Sequence, residues 1–171
     1  MKQVSPELEL VRRETECATL GISPDSWLRG PDGKWNSLQI LEHLVLSYTA
    51  TTKGLLRTMK AGQPQRGNPD LRQRLRSFYV LGIGRFPSGI ESPKQTAPRD
   101  GLGDDPLRCF NDALVAMDAT LTDTEKRFGI RTRVLEHPVL GPLTAQQWRR
   151  FHQVHGCHHL KQVVSRLNDR V

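Results

Sequence analysis

The chain holds 171 residues, 36% of them hydrophobic and 25% charged, with a formal net charge of +7. This length can bury a core without disulfides or a structural metal, and the composition excludes a disordered chain. No apolar run approaches the ~20 residues that a helix needs to cross a bilayer, which excludes a membrane-spanning helix.

No linker divides the sequence, so residues 1–171 are expected to form a single domain. The stretch from Met1 to Glu7 turns polar where a signal peptide would turn apolar, and a cytoplasmic location is the default expectation. Cys17, Cys109 and Cys157 make neither a C-x-x-C pair nor a disulfide framework, and free, buried thiols are expected, with Cys157 set apart because it lies among histidines. The densest basic group is Arg72, Arg74, Arg76 and Arg85, with Tyr79 and Phe86 nearby. No nucleic-acid motif surrounds it, so it reads as a solvated face and nucleic acid is not an expected partner.

Helix signals recur along the chain. Ser5-Pro6 offers an N-cap with proline at the first helical position, and a helix to about Leu20 is predicted, closed by Gly21. Ser23 to Trp27 predicts a short helical turn. Asn36-Ser37 opens a long helix with Leu41, Leu44, Tyr48 and Leu55 on one stripe, ending near Ala61 before Gly62. Asn68-Pro69 predicts another, reaching about Leu81. Residues 87–105, rich in proline and glycine, read as a long loop and a candidate lid. Asp105-Pro106 begins a helix with Leu107, Phe110, Leu114, Met117 and Leu121 in register, closed by Gly129. Residues 130–143 read as extended or irregular. Thr144, with Gln147 three residues on, predicts a capping box for a last helix to about Asn168. The expected fold is an all-α helical bundle with short extra helices.

Six histidines are present, and four of them, His152, His155, His158 and His159, crowd the last helix. Residues four apart share a helix face, so His155 and His159 can direct two imidazoles at one ion. A spacing of three gives His155 and His158 the same opportunity. At about 100° per residue, Trp148, Phe151 and Gln162 fall on the side of the pair. His43, near the apolar stripe of the second long helix, is the candidate third donor, with the small residues Ser47, Ala50 and Gly54 extending its strip. Neutral imidazole suits zinc, nickel, copper or iron. Against this, buried histidines are commonly hydrogen-bonded core residues, and such pairs also arise by chance. His152 is expected to face solvent or support a ligand, His137 to be structural, and Gln162 to orient an imidazole or simply pack.

The stretch Ser37-Leu38-Gln39-Ile40-Leu41-Glu42-His43-Leu44 resembles the first histidine helix of the DinB/YfiT-like superfamily. The stretch from His137 to Trp148, leading into His155-Gly156-Cys157-His158-His159-Leu160-Lys161-Gln162, is similar to the end of the same superfamily, in a branch of uncharacterised bacterial proteins. The resemblance spans nearly the whole chain. It implies a four-helix bundle of up-down-down-up order, often a homodimer, with a metal held by His43, His155 and His159. Around these, Gln162, His158, Trp148 and Ser47 are candidates for supporting or cavity-lining roles.

Relatives of that type include metal-dependent transferases of low-molecular-weight thiols. The reading is therefore a metal-dependent enzyme, a thiol transferase or hydrolase, acting on a small-molecule substrate. Its cofactors would be a divalent ion (zinc, nickel or iron) and a low-molecular-weight thiol. No Asp or Glu stands out as a general base, and Cys157 points away from His159 on the helix wheel, so an external nucleophile is expected. The alternative is a non-catalytic metal-binding or interaction bundle.

Overall fold

The computed structural model describes residues 4–64, 67–86, 92–99 and 101–168. Among them are six α-helices and one two-stranded sheet. These are α1 (Pro6–Ala18), α2 (Pro24–Trp27), α3 (Ser37–Ala61), α4 (Leu71–Ser77), α5 (Pro106–Phe128) and α6 (Ala145–Asn168), with β1 (Arg133–His137) and β2 (Gly141–Thr144) between α5 and α6. A π-helical turn, Phe78–Gly82, continues α4, and a 3₁₀ turn covers Lys94–Thr96.

Local chemistry sets most of these boundaries. Asn36 accepts from the Gln39 amide at 2.8 Å while the Gln39 side chain accepts from the Asn36 amide at 3.0 Å, a reciprocal cap that starts α3. Gly62, at φ 68°, ends it in the left-handed conformation that glycine adopts freely. Thr144 and Gln147 make the same reciprocal cap for α6, at 3.2 and 2.9 Å. For α4 the cap is Asp70, not Asn68. Asp70 has Gln73 three residues on to complete the box, whereas Asn68 has Leu71 there. Arg72, Arg74 and Arg76 are exposed, as expected of a solvated face, but Leu71, Leu75 and Phe78 are exposed beside them.

The four long helices pack on one another. α3 lies along α5, α1 lies along α6, and α6 also meets α3 and α5. Between them sit Leu8, Val11, Leu41, Leu44, Tyr48, Leu55, Phe110, Leu114, Met117 and Leu121, all buried. Each such side chain contributes about 1.5–3 kcal/mol on leaving water. The α1–α6 approach depends on Gly156, where a Cβ would stand 2.7 Å from Val11 Cγ1. A buried ion pair fastens the same region. Asp118 on α5 accepts from Arg149 Nε at 2.8 Å and from the Ser5 amide at 2.6 Å, while Arg149 also reaches Glu125 and Thr122.

The segment expected to be extended or irregular forms an antiparallel hairpin, with Leu135 opposite Leu143 and His137 opposite Gly141. It is tied to its surroundings from three sides. Leu135 packs on Gly54 of α3, where a Cβ would lie 2.8 Å from Leu135 Cδ2. The Trp148 indole N–H donates to the Leu135 carbonyl at 3.1 Å, and Ser77 Oγ donates to the Leu140 carbonyl at 2.9 Å. His137 holds the turn, its Nδ1 accepting from the amides of Val139 and Leu140 at 3.1 and 3.2 Å.

The expectation of buried thiols fails for Cys17, which is exposed, and Cys109 and Cys157 are only partly covered. The end of α1 turns Cys17 outward, and helix position overrides the general tendency of the residue type. Among the described residues no helix is long and apolar enough to cross a membrane.

Candidate metal centre

The buried seam of α6 runs Trp148, His152, His155, His159, at spacings of four, three and four. These are the positions where a packed helix ordinarily places aliphatic residues. His152, His155 and His159 are 1%, 5% and 9% exposed. Burying an imidazole is costly unless its polar atoms find partners, so the partners decide what the seam is for.

His43 projects from α3 to meet this seam. Its Nε2 lies 3.1 Å from Nε2 of His155. The ring nitrogens of His43, His155 and His159 that can serve as ligand atoms all lie within 4.8 Å of one another, a cluster that can hold a metal ion. Two imidazole nitrogens bound to one zinc at ~2.05 Å would be about 3.3 Å apart in a tetrahedron and about 2.9 Å at a right angle. The observed separation falls between these values.

Two of the three remaining nitrogens are occupied in the sense that ligation requires. His43 Nδ1 lies 2.7 Å from the carbonyl oxygen of Thr96, which can only accept, so Nδ1 carries the proton and Nε2 is left with its lone pair. His159 Nδ1 lies 2.9 Å from Gln162 Oε1, which fixes the same tautomer when the amide oxygen is the acceptor. His155 Nδ1 is buried without a partner. In the ion-free protein, one of the facing Nε2 atoms of His43 and His155 must carry a hydrogen for that contact to be a hydrogen bond.

Burial keeps all three rings neutral, the state a ligand needs. It is the first cause that lowers His43, opposed by its bond to Thr96. It lowers His155 well below the ordinary range, with the neighbouring histidines adding repulsion, and brings His159 to about 3. Aromatic rings wall the cluster. Trp35 stands 5.1 Å from His43, Phe86 5.1 Å from His155, and Phe151 stacks on His155 at 5.3 Å.

The other expected residues divide. Gln162 touches His159, and its amide also approaches His158 Nε2 at 3.4 Å. His158 packs edge-on against His159 and is not among the three clustered histidines. Trp148 stacks on His152 rather than on a clustered ring. Ser47 Oγ donates to the carbonyl of His43 in its own helix. Ala50 is exposed and Gly54 is filled by Leu135, so the small-residue strip serves close packing instead of a cavity. His152 does not face solvent; it is buried, with Nε2 3.0 Å from Thr51 Oγ1 on α3.

Sequence reasoning missed Thr96, Trp35 and Phe86, which come from loops or a turn with no periodic signal. The loop expected as a lid is described over 92–99 and 101–105, while 87–91 and 100 lie outside the described residues. Its described part is pinned to α3. Besides the Thr96 bond, the buried Glu42 carboxylate accepts from the amides of Arg99 and Gly101, each at 3.0 Å.

A family model described as a protein of unknown function, DUF1569, matches residues 15–166. No curated protein and no solved structure matches the chain.

Proposed function

The chain belongs to the DUF1569 family, and from its own site we propose that it is a metal-dependent enzyme in which His43, His155 and His159 hold one divalent ion. The observation that carries this reading is the convergence of three buried, neutral imidazoles from two helices, two of them with the far nitrogen anchored. A core that needed only apolar filling would not place histidines along the seam of α6.

The same proposal takes α1, α3, α5 and α6 as a DinB/YfiT-like bundle of up-down-down-up order. In support, the third histidine comes from α3 and the spaced pair from α6, the order found in that superfamily. The ion, whether zinc, nickel or iron, would supply Lewis acidity that lowers the pKa of a thiol or of water. The chain's part is to orient and to exclude water. Thr96 and Gln162 set the imidazole tautomers, and Trp35, Phe86 and Phe151 dry the cluster. Among the described residues no carboxylate or thiol joins the three histidines. An external nucleophile therefore fits best, a low-molecular-weight thiol or water, acting on a small electrophilic substrate. One observation favours a second reading, a non-catalytic metal-binding protein: the three histidines are only 3–9% exposed.

Metal content of the purified protein, beside a His155→Ala, His159→Ala double variant, tests the site. About one ion per chain in the parent and none in the variant is expected. Equal, substoichiometric metal in both would overturn the reading. Turnover of electrophiles with added thiols then separates enzyme from metal-binding protein.

A further inference from the structure

Beside the histidine cluster, on the outer flank of α6, lies an open cleft of about 540 Å³ between α1, the chain that follows the π-helical turn, and α6. Its lining is unusual in charge. Arg85, Arg150 and Lys161 all border it, and among the described residues none of the three is in an ion pair. One lining residue faces a carboxylate, the Cys157 thiol donating to Glu14 Oε2 at 3.8 Å.

Arg150 is the organised member. Its Nε donates to the Leu81 carbonyl at 3.1 Å and its Nη1 to Gln153 Oε1 at 2.7 Å. Its Nη2 lies so close over Gly84 that a Cβ there would stand 2.9 Å away. Gly84, at φ 74°, is where the chain bends to leave that space. A guanidinium fixed by neutral partners keeps its full charge and has spare N–H donors, the condition under which arginine captures an anion. Apolar surface lines the same cleft, from Tyr79, Phe86, Leu10 and Val154. Phe86 and His158, tilted against each other with ring centroids 5.2 Å apart, form the wall toward His155 and His159.

The geometry points to a binding site for a small organic anion, its acidic group held by Arg150 with Lys161 and Arg85, and its apolar or aromatic part laid along Tyr79 and Phe86. This assignment is separate from the metal reading, because no cleft cation touches the three clustered histidines. A ligand seated here lies one ring's thickness from the cluster, on the far side of Phe86 and His158.

Phenyl phosphate, inorganic phosphate and phenol, titrated calorimetrically into the EDTA-treated full chain at low salt, test it. Phenyl phosphate is expected to bind at one site per chain and more tightly than either fragment. Arg150→Gln and Lys161→Gln are each expected to weaken it about tenfold, the loss of one charge-assisted bond. Arg131→Gln, which removes an exposed arginine outside the cleft, is expected to change nothing. Lys161 is exposed and its side chain makes no hydrogen bond among the described residues, so its variant tests the site without disturbing the fold. Absence of binding, an unchanged affinity in Lys161→Gln, or equal affinities for phosphate and phenyl phosphate would each overturn the assignment. Metal content equal to the parent in Arg150→Gln keeps this result distinct from failure of the metal site.

Discussion

The Nδ1–H of His43 donates to the carbonyl oxygen of Thr96 across 2.7 Å, tying a histidine on α3 to a loop 53 residues further along the chain. The bond sets the tautomer of His43 from outside its own helix. The loop is held in place by Glu42, the residue before it, through the Arg99 and Gly101 amides. Adjacent residues on α3 thus divide the work, one facing the cluster and one anchoring the segment that orients it. Glu42→Ala is expected to lower metal affinity about tenfold, as loss of an outer hydrogen bond does. Competition with a chromophoric chelator measures this, with far-UV circular dichroism unchanged. Parent-like affinity would show that the loop does not position His43.

Gln162 and His158 should separate cleanly. Gln162→Ala removes the acceptor from His159 Nδ1 and is expected to cost tenfold or more in affinity within the usual 10–100-fold range. His158→Ala should leave metal stoichiometry intact, because His158 packs beside the cluster without joining it. Loss of the ion in His158→Ala would move the third ligand from His159 to His158.

Acid should destabilise the fold through histidines outside the cluster. Burial lowers His137 to about 4 and His152 to about 3, with His137 adding to the shift of His152. Both are bases held neutral in the fold, so the unfolded chain takes up their protons first as pH falls below the ordinary value of 6.5. Their contribution is whole above that pH and declines through about 4 and about 3. Each adds a slope of about 1.4 kcal/mol per pH unit in its window. Urea midpoints between pH 7.5 and 4.5 should show the decline. His152→Gln, which can still meet Thr51, should remove one histidine's share, and a slope identical to the parent would refute this account.

Breaking the Asp118–Arg149 pair should be more damaging than any surface change. Asp118→Ala removes one of the two carboxylates paired with Arg149 at the α5–α6 contact and frees the Ser5 amide that tethers α1. Glu125 and Thr122 still hold Arg149, so the expected loss is about 3 kcal/mol, the low end for a buried pair missing one member. Chemical denaturation reads this directly, and a change under about 1 kcal/mol would mark the pair as no more than a surface bridge.

What the sequence disclosed follows the range of the interactions. The bounds of α3 and the starts of α5 and α6 were legible because caps act over three residues and helix faces repeat over three or four. His155 and His159 were legible for the same reason, and His43 because it lies near an apolar stripe. Thr96, Trp35 and Phe86 were not, since a loop residue's neighbours depend on where the chain returns. His152 was misjudged because the wheel places it 60° from His155 without showing that Thr51 of α3 covers that side. The arginines of α4 were read as a solvated face, and the exposure of Leu71, Leu75 and Phe78 beside them was not foreseen.

The contact between His43 and His155 closes across 112 residues. At roughly 5–20 residues per second, α3 leaves the ribosome about 5–20 s before α6 does. For that interval His43 is an ordinary histidine on an unfinished surface, with neither member of the pair to meet. The three-histidine cluster therefore exists only once α6 has emerged and packed against α3.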